Sequence, residues 1–325
     1  MTEQEKQFYQ KDFSFSYSSL NKLLFSPSLF YKDYILNERE VRTDKHLIEG
    51  KLLHCLLFEP ENLQNKFKIV PDKTPSDSVV KVLKSLYNRV GDADLLNPGI
   101  SNEVLNVLQE QNLYQSFKDD SKRLEKIQNS DNLAYWEFMQ NPNVDLVDLD
   151  TVAKSKERVE ILLNNKEIKE LLSHKPTDFE LDPIQVFVEK ALITKLKDKK
   201  FGLKGIVDFF MIDDDKQEVT ICDLKTTSKS ISDFKETVEY YNYWLQASIY
   251  SKLVYDNVSD KVKDYTFTFK FAVIDTYDQT YLFEVSKESL NQWASALENI
   301  IEIADYHYTN NDYSLPYEFN TKVML

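Results

Sequence analysis

Two short stretches, Gly205-Ile-Val-Asp208 and Ile221-Cys-Asp223-Leu-Lys225-Thr-Thr, decide the fold class of this chain. Both lie in segments rich in Val, Ile and Phe, which is typical of buried strands. Between them lies Asp213-Asp-Asp-Lys, a sequence typical of a hairpin turn. The region therefore predicts two antiparallel strands joined by a tight turn.

Side-chain alternation along the second strand places its polar residues together. Asp223 and Lys225 are two positions apart, so their side chains point to the same face while Leu224 points to the opposite one. In a hairpin, Asp208 reaches the same end of the strand pair. Two carboxylates and one ammonium group are therefore expected to converge at a strand terminus.

This set of groups suits metal-assisted hydrolysis of phosphodiesters. Carboxylate oxygens are the hard ligands that Mg²⁺ and Mn²⁺ prefer, and a lysine can orient or acidify the attacking water and offset negative charge on the phosphate. The other interpretation of Asp-x-Lys is a surface ion pair, worth under about 1 kcal/mol. The motif alone leaves both interpretations open.

The rest of the chain predicts a mixed α/β or α+β protein in which a mixed sheet is flanked by helices. Residues 72–150 lack a strand pattern and predict a helical insertion or lobe within a single domain, 1–325. The predicted strands are 184–193, 205–212, 218–224 and a hairpin of 265–273 with 279–285. The predicted helices are 17–26, 27–35, 44–58, 234–254 and 286–303.

Two further features of the sequence concern the same site. His54 follows Gly50 by about one helical turn, and either ligates a metal from the N-terminal helical region or is a histidine of the core. Gln246 and Tyr250 are i and i+4 neighbours, so an amide and a phenol share one helix face. They either hydrogen-bond near Lys225 or to DNA, or simply belong to a helix packed on the sheet.

The composition of the chain limits the molecules and cofactors that it can bind. The net charge of −14 disfavours phosphate binding over the whole surface, but a local strip of lysines provides a candidate DNA contact or a solvated face. The strip consists of Lys195, Lys197, Lys199, Lys200 and Lys204. The two cysteines, Cys55 and Cys222, are too few for a four-cysteine iron–sulfur cluster. No apolar run suits a membrane span and no secretion signal is evident at the start, which predicts a cytoplasmic protein.

The order of these motifs resembles the PD-(D/E)xK nuclease superfamily, in the branch that contains the RecB nuclease domain. That order is His54, Gly205-x-x-Asp208, Asp223-x-Lys225 and Gln246-x-x-x-Tyr250. The segments Phe15-Ser-Tyr-Ser-Ser-Leu-Asn-Lys-Leu, Glu49-Gly-Lys-Leu-Leu-His54 and Asp223-Leu-Lys-Thr-Thr look most similar to the exodeoxyribonuclease VIII, or RecE-like, group of phages. The resemblance covers roughly residues 13–70 and 150–305.

The resemblance implies a restriction-endonuclease-like core and a role for each matching residue. Asp208, Asp223, the Leu224 carbonyl and His54 would be metal ligands, and Glu189 would be an accessory acidic residue. Lys225 would be the catalytic cation that activates water, supported by Gln246 and Tyr250. The cysteines by which some relatives hold an iron–sulfur cluster are absent here, and residues 72–150 show no pattern that aligns.

The expected activity is that of a Mg²⁺-dependent exonuclease, with Mn²⁺ able to substitute, acting on duplex DNA ends. By resemblance it would digest 5′ to 3′, form a ring-like homo-oligomer and work with a single-strand annealing protein in phage-type recombination or DNA repair. Two alternatives remain open. One is an inactive DNA-end-binding or interaction module, and the other is an endonuclease for single strands or particular DNA structures.

Overall fold

The computed structural model describes residues 13–39, 45–70, 75–139, 144–174 and 182–320. The chain divides into two compact units: Thr43–Val159 form one, and the segments on either side form the other. We call the unit made from the flanking segments the sheet unit, and the unit Thr43–Val159 the helical unit. None of the described helices combines the length and the apolar character that crossing a bilayer requires.

Strands and helices are numbered here along the described residues. The strands are β1 (Ser14–Phe15), β2 (Phe67–Val70), β3 (Asp145–Asp148), β4 (Ile184–Lys195), β5 (Gly202–Asp213), β6 (Glu218–Thr226), β7 (Thr266–Ile274) and β8 (Thr280–Glu284). The α-helices are α1 (Tyr17–Phe25), α2 (Pro27–Phe30), α3 (Lys45–Phe58), α4 (Leu63–Lys66), α5 (Asp77–Val90), α6 (Ser101–Glu110), α7 (Asp120–Glu125), α8 (Ser130–Met139), α9 (Leu149–Asn164), α10 (Lys166–Leu172), α11 (Phe234–Tyr240), α12 (Tyr243–Asn257) and α13 (Lys287–Asn310).

The sheet unit is built on a mixed sheet. Strands β4, β5 and β6 are antiparallel neighbours, β6 and β7 are parallel, and β8 returns antiparallel to β7. Strand β5 pairs with β4 at every residue except Asp208, and along its other edge it pairs first with β1 and then with β6. The predicted α/β fold with a central mixed sheet and flanking helices is therefore confirmed.

The predicted β5–β6 hairpin forms as the sequence indicated, with a turn after Asp213. The Asp213 carboxylate fixes this turn, because its Oδ1 atom accepts a hydrogen bond of 3.0 Å from the backbone N–H of Lys216. Strand β5 begins at Gly202, three residues earlier than predicted, because this first part pairs with β1. A strand of only two residues has no alternation that sequence could reveal, so β1 was not predicted.

The helix predicted over 234–254 is wrong as a single element, because the chain turns between α11 and α12. Asn242 adopts φ 55° and ψ 40°, a left-handed conformation that ends the first helix. Asparagine tolerates this region better than most residues. Helix α12 then packs on β4 and β5 with a buried face that includes Leu245, Ile249 and Leu253.

The first helices match their predictions closely. Ser16 caps α1 by accepting a hydrogen bond from the Ser19 N–H, and Pro27 occupies the first turn of α2, which continues as a π-helical turn over Tyr31–Ile35. The last helix, capped by Ser286 as predicted, extends to Asn310, beyond the expected residue 303.

The helical unit has its own apolar clusters. One of them joins α5, α6 and α8 around Leu83, Val104 and Trp136. Strands β2 and β3 form a separate parallel pair, which the mostly polar sequence did not reveal. The helices within 72–150 agree with the expected helical character, and the predicted domain boundaries stay a prediction.

Candidate active site

Asp208 and Asp223 lie at the open end of the β5–β6 ladder. The last residue pair of this ladder is Phe209 with Cys222, so Asp208 and Asp223 are the next residue of each strand. Both carboxylates are buried: the exposed fraction is 6% for Asp208 and 0% for Asp223. Burial of ionised carboxylates is costly unless a cation or hydrogen bonds compensate it, so this end of the hairpin is built around a positive charge.

The Asp208 carboxylate is oriented by the neighbouring strand. Its Oδ2 atom accepts a hydrogen bond of 2.9 Å from the backbone N–H of Leu224. The Leu224 side chain is 1% exposed and packs away from the polar side of the strand. The backbone of the Asp223-Leu-Lys225 segment is therefore tied directly to Asp208.

Glu189 brings a third carboxylate to this region from β4. The pairs Val188 with Phe209 and Lys190 with Val207 flank it, so Glu189 lies at the level of Asp208. A carboxylate oxygen of Glu189 lies within 4.8 Å of one of Asp208. The backbone of Glu189 has φ 45°, which is rare for a residue with a side chain inside a strand. The left-handed conformation interrupts the regular pleat next to Asp208.

Lys225 supplies the cation. Its Nζ atom forms an ion pair with Asp223 and donates a hydrogen bond of 2.9 Å to Gln246 Oε1. Burial by itself lowers the pKa of Lys225, but the Asp223 and Asp208 carboxylates outweigh it, so the pKa is raised above its ordinary value. The side chain is 12% exposed. Lys225 is thus a largely buried, positively charged group.

Gln246 and Tyr250 extend this network on α12. The Gln246 Nε2 atom donates a hydrogen bond of 2.9 Å to Tyr250 Oη, while its Oε1 atom accepts from Lys225. One N–H of the amide donates and its oxygen accepts, and these two contacts set which way the amide is oriented. Burial, followed by the charges of Asp208 and Asp223, raises the pKa of Tyr250, so its hydroxyl stays protonated. The sequence left open whether this pair contacts Lys225, contacts DNA or only packs on the sheet. In the structure, Gln246 contacts Lys225.

Helix α12 reaches the sheet at a glycine. A Cβ atom at Gly205 would lie 2.9 Å from Cε1 of Tyr250 and 3.1 Å from Cδ1 of Leu253. The first distance is below the normal contact of two carbon atoms. Gly205 therefore allows Tyr250, and with it Gln246, to approach the strand that contains Asp208.

His54 lies on α3 in the helical unit. Its side chain is half-buried, and its ring centroid is 6.0 Å from that of Phe58. Its role as a metal ligand stays a prediction.

The lysine strip spans the end of β4, the connecting turn and the start of β5. Lys195, Lys197, Lys200 and Lys204 are exposed. Lys199 differs from them, because its Nζ atom lies 2.7 Å from a carboxylate oxygen of Glu302 and 3.1 Å from one of Asp305, both on α13. Its charge is compensated within the protein, which favours a structural role for this lysine.

Tyr243 and Tyr17 also adjoin the site, although neither was predicted to contribute to it. The Lys225 ammonium lies 4.6 Å from the centroid of the Tyr243 ring, within the range of cation–π attraction. Burial, with the charges of Tyr243 and Asp223, raises the pKa of Tyr17. The run of tyrosines before Gln246 was the available signal, but the sequence does not indicate the left-handed turn at Asn242, after which Tyr243 contacts the lysine.

The donor set fits a hard divalent cation. Asp208 and Asp223 are buried, and Glu189 adds a carboxylate within ligand distance of Asp208. Oxygen-rich sites of this kind suit Mg²⁺ and Mn²⁺, whereas softer metals prefer nitrogen and sulfur ligands. The carboxylates of Asp208 and Glu189 are therefore close enough to share a divalent metal ion, and Asp223 on the paired strand is a further candidate ligand.

Several known structures resemble this chain, among them two at low sequence identity. A crystal structure of a provisionally named exonuclease from Eubacterium rectale is 11% identical, with a TM-score of 0.48, and the alignment covers 100% of this chain and 95% of the other. The crystal structure of SSO0001 is 12% identical, with a TM-score of 0.25, over 74% of this chain and 87% of the other.

Comparison of the sequence with family models gives a match over most of the chain. No curated protein matches this sequence. The model of the PD-(D/E)XK nuclease superfamily matches residues 14–313, a range that contains Asp208, Asp223, Lys225, Gln246 and Tyr250. This match spans both strands of the site hairpin and helix α12, whose Gln246 contacts Lys225. The chain belongs to the PD-(D/E)XK nuclease superfamily.

Proposed function

We propose that this nuclease is a metal-dependent exonuclease that hydrolyses phosphodiester bonds of DNA at the β5–β6 hairpin. The observation that best supports this is the convergence of Asp208, Asp223 and Lys225 at the open end of one ladder. A surface ion pair, the alternative interpretation of Asp-x-Lys, is exposed on both sides, but here Asp223 is 0% and Lys225 12% exposed.

In this proposal Asp208, Asp223 and the Leu224 carbonyl hold a Mg²⁺ or Mn²⁺ ion, with His54 and Glu189 as further ligands. The bound ion supplies Lewis-acid stabilisation of the negative charge that develops on the phosphate. The Leu224 N–H keeps Asp208 in position relative to the Asp223-Leu-Lys225 segment, so candidate ligands on the two strands are linked directly. Such preorganisation limits the reorganisation needed during the reaction.

Lys225 orients the attacking water and offsets charge on the phosphate. Its raised pKa makes it a permanent cation near neutrality, which suits this role better than that of a general base. Gln246 fixes the direction of the lysine through its Oε1 atom, and Tyr250 fixes Gln246. The order Tyr250, Gln246, Lys225 is therefore a chain of positioning contacts that ends at the proposed reaction centre.

The finer features rest on the resemblance to RecE-like nucleases of the RecB-like branch. They are digestion of duplex ends from 5′ to 3′, a ring-like homo-oligomer, and cooperation with a single-strand annealing protein during phage-type recombination or repair. We place this activity in the cytoplasm of a bacterium or of a phage-infected cell. Residues 72–150 would then form a helical insertion in a single nuclease domain.

The deciding experiment compares linear and covalently closed circular duplexes. Wild type with Mg²⁺ or Mn²⁺ is expected to release nucleotides from a linear, end-labelled duplex and to leave the circle intact. Chelation of the metal is expected to stop the reaction, and 5′- against 3′-end labels give the direction. Cleavage of the circle contradicts an exonuclease, and equal activity of wild type, Asp208→Ala and Lys225→Ala contradicts the site.

A further inference from the structure

The turn between α11 and α12 displays a row of aromatic rings that starts at Lys225. Tyr243 lies under the Lys225 ammonium, with its ring centroid 4.6 Å from Nζ. Tyr241 stacks on Tyr243 with centroids 5.5 Å apart and an interplanar angle of 25°. Tyr240 meets Tyr241 edge to face, with centroids 4.9 Å apart. We call Tyr240 and Tyr241, the outer members of this row, the tyrosine platform.

The platform is exposed although its rings are large and partly apolar. The exposed fraction is 73% for Tyr240 and 44% for Tyr241. Rings that are this accessible add little to the core, so packing does not account for their position. Adjacent exposed aromatic rings are typical of surfaces that bind a ligand.

The backbone of the platform is nevertheless held in place. Tyr17 Oη donates a hydrogen bond of 2.5 Å to the Tyr241 carbonyl, and Asn242 Nδ2 donates one of 2.8 Å to Asn21 Oδ1. The Tyr241 N–H donates to the Thr237 carbonyl at 3.1 Å. A ligand that binds rings on such a fixed backbone loses little entropy in ordering it.

We propose that the tyrosine platform is a stacking subsite for unpaired nucleobases of the strand being cleaved, next to the reacting phosphate. This inference rests on the proposed function, since it takes Lys225 as the position of the chemistry. Every base has a flat π-face, so tyrosines in a row bind single-stranded nucleic acid with little sequence preference. The Lys229 ammonium, 5.3 Å from the Tyr240 centroid, adds a cation near the outer ring.

The charge around the platform favours stacking over phosphate attraction. Helix α11, which ends at Tyr240, contains Glu236 and Glu239 together with Lys235. The two carboxylates equal Lys229 and Lys235 in number, so there is no net positive charge to make counterion release dominate binding here. The affinity of the platform for a single strand is therefore expected to depend more on the bases than on the salt concentration.

The test measures binding without cleavage, in chelator, by the anisotropy of a fluorescently labelled oligodeoxythymidine. Tyr240→Ala/Tyr241→Ala is expected to lower the affinity at least about tenfold, whereas Tyr240→Phe/Tyr241→Phe retains the rings and the affinity. A strand of equal length with abasic sites is expected to bind wild type weakly and to be insensitive to the alanine pair. All variants are compared by circular dichroism for intact folding.

Tyr255 offers a matched control on α12. Its exposed fraction is 44%, equal to that of Tyr241, and the Lys263 ammonium lies 5.7 Å from its ring centroid. It is 12 residues beyond Tyr243, about 18 Å along the helix axis. Tyr255→Ala is expected to leave binding unchanged.

Any of three outcomes overturns the subsite. The first is that wild type shows no measurable binding of the single strand. The others are that the alanine pair loses no more affinity than Tyr255→Ala, or that it loses as much affinity for the abasic strand as for the intact one. Failure of the proposed function is separate, because it is measured with metal. A wild type that binds as described but cleaves no DNA with any divalent cation refutes the nuclease mechanism and leaves the stacking site standing.

Discussion

Asp208 on β5 accepts a 2.9 Å hydrogen bond from the backbone N–H of Leu224 on β6. This contact predicts the behaviour of Asp208→Asn. The amide retains an oxygen that can accept from Leu224, so the fold is expected to persist, but the negative charge is lost. If Asp208 helps to hold a metal worth several kcal/mol of transition-state stabilisation, cleavage falls more than about 100-fold.

The measurement is nucleotide release from linear duplex, with the melting temperature recorded on the same preparation. A variant that melts like wild type and cleaves at the wild-type rate contradicts the assignment of Asp208. Calorimetric titration with Mn²⁺ is expected to show weakened binding in parallel with the activity.

Gln246 and Tyr250 are predicted to act as one unit on Lys225. Gln246→Ala removes the acceptor for the ammonium, and Tyr250→Phe removes the hydroxyl that orients the amide. Loss of such an outer contact is expected to lower kcat by about 10-fold for Gln246→Ala, and less for Tyr250→Phe, with KM nearly unchanged. The double variant should be no worse than Gln246→Ala, because both changes interrupt the same chain. If the losses in kcat add up in the double variant, the two residues act independently and this prediction is wrong.

Gly205→Ala is predicted to disturb the packing of α12. The new methyl group would press on Tyr250 and Leu253, and overpacking of this kind costs about 1–3 kcal/mol. Ile206→Ala is the matched control, since the neighbouring side chain is 53% exposed and its loss is expected to cost under about 0.5 kcal/mol. Urea unfolding of the two variants gives the comparison, and equal stability would show that the helix adjusts.

Asp213 is predicted to make folding stability depend on pH. Burial alone raises its pKa, but hydrogen bonds from Lys216, with the lysine charge 3.0 Å away, outweigh burial and lower it. A carboxyl with a lowered folded-state pKa stabilises the fold above its unfolded value, about 3.9, and this contribution disappears as the pH falls below it. Asp213→Asn is therefore expected to lower the free energy of unfolding by about 1–3 kcal/mol at pH 7. The difference from wild type should narrow below pH 4, as followed by thermal melts across the acid range.

The lysines of the strip are predicted to have different roles: Lys199 in stability, and the exposed lysines in DNA binding. Lys199→Ala is expected to lower the melting temperature, because it breaks ion pairs with Glu302 and Asp305 on α13. Lys197→Ala and Lys200→Ala are expected to leave the melting temperature unchanged and, if the strip contacts DNA, to weaken binding and reduce its salt dependence. Binding isotherms at two salt concentrations test this. Unchanged isotherms for both exposed lysines would identify the strip as a solvated face.

Sequence predicted the site best where the relevant geometry is local. The hairpin of β5 and β6 follows from alternation and from the turn residues at Asp213, so the approach of Asp208 to Asp223 was predictable. The i, i+4 pair Gln246 and Tyr250 was predictable for the same reason. Which partner the pair would take, Lys225 or DNA, was not, because that depends on how closely α12 approaches the sheet.

Long-range and backbone-specific features were not predictable. The break at Asn242 has no proline or glycine to mark it, and the left-handed Glu189 lies in a segment that reads as a regular strand. The position of the Tyr243 ring under the Lys225 ammonium follows from the break at Asn242, the residue before it. Nothing local in Ser14-Phe15 indicates a strand, since its partner Gly202 is supplied by a remote part of the chain.

The pairing of β1 with β5 affects how the protein is made. Ser14 leaves the ribosome ~190 residues before Gly202, which at about 5–20 residues per second is a delay of roughly 10–40 s. During that interval the early apolar residues Phe15, Leu20 and Leu23 have no sheet to cover them. This early segment is thus a natural client for a chaperone, and slow translation would lengthen the period in which it can aggregate.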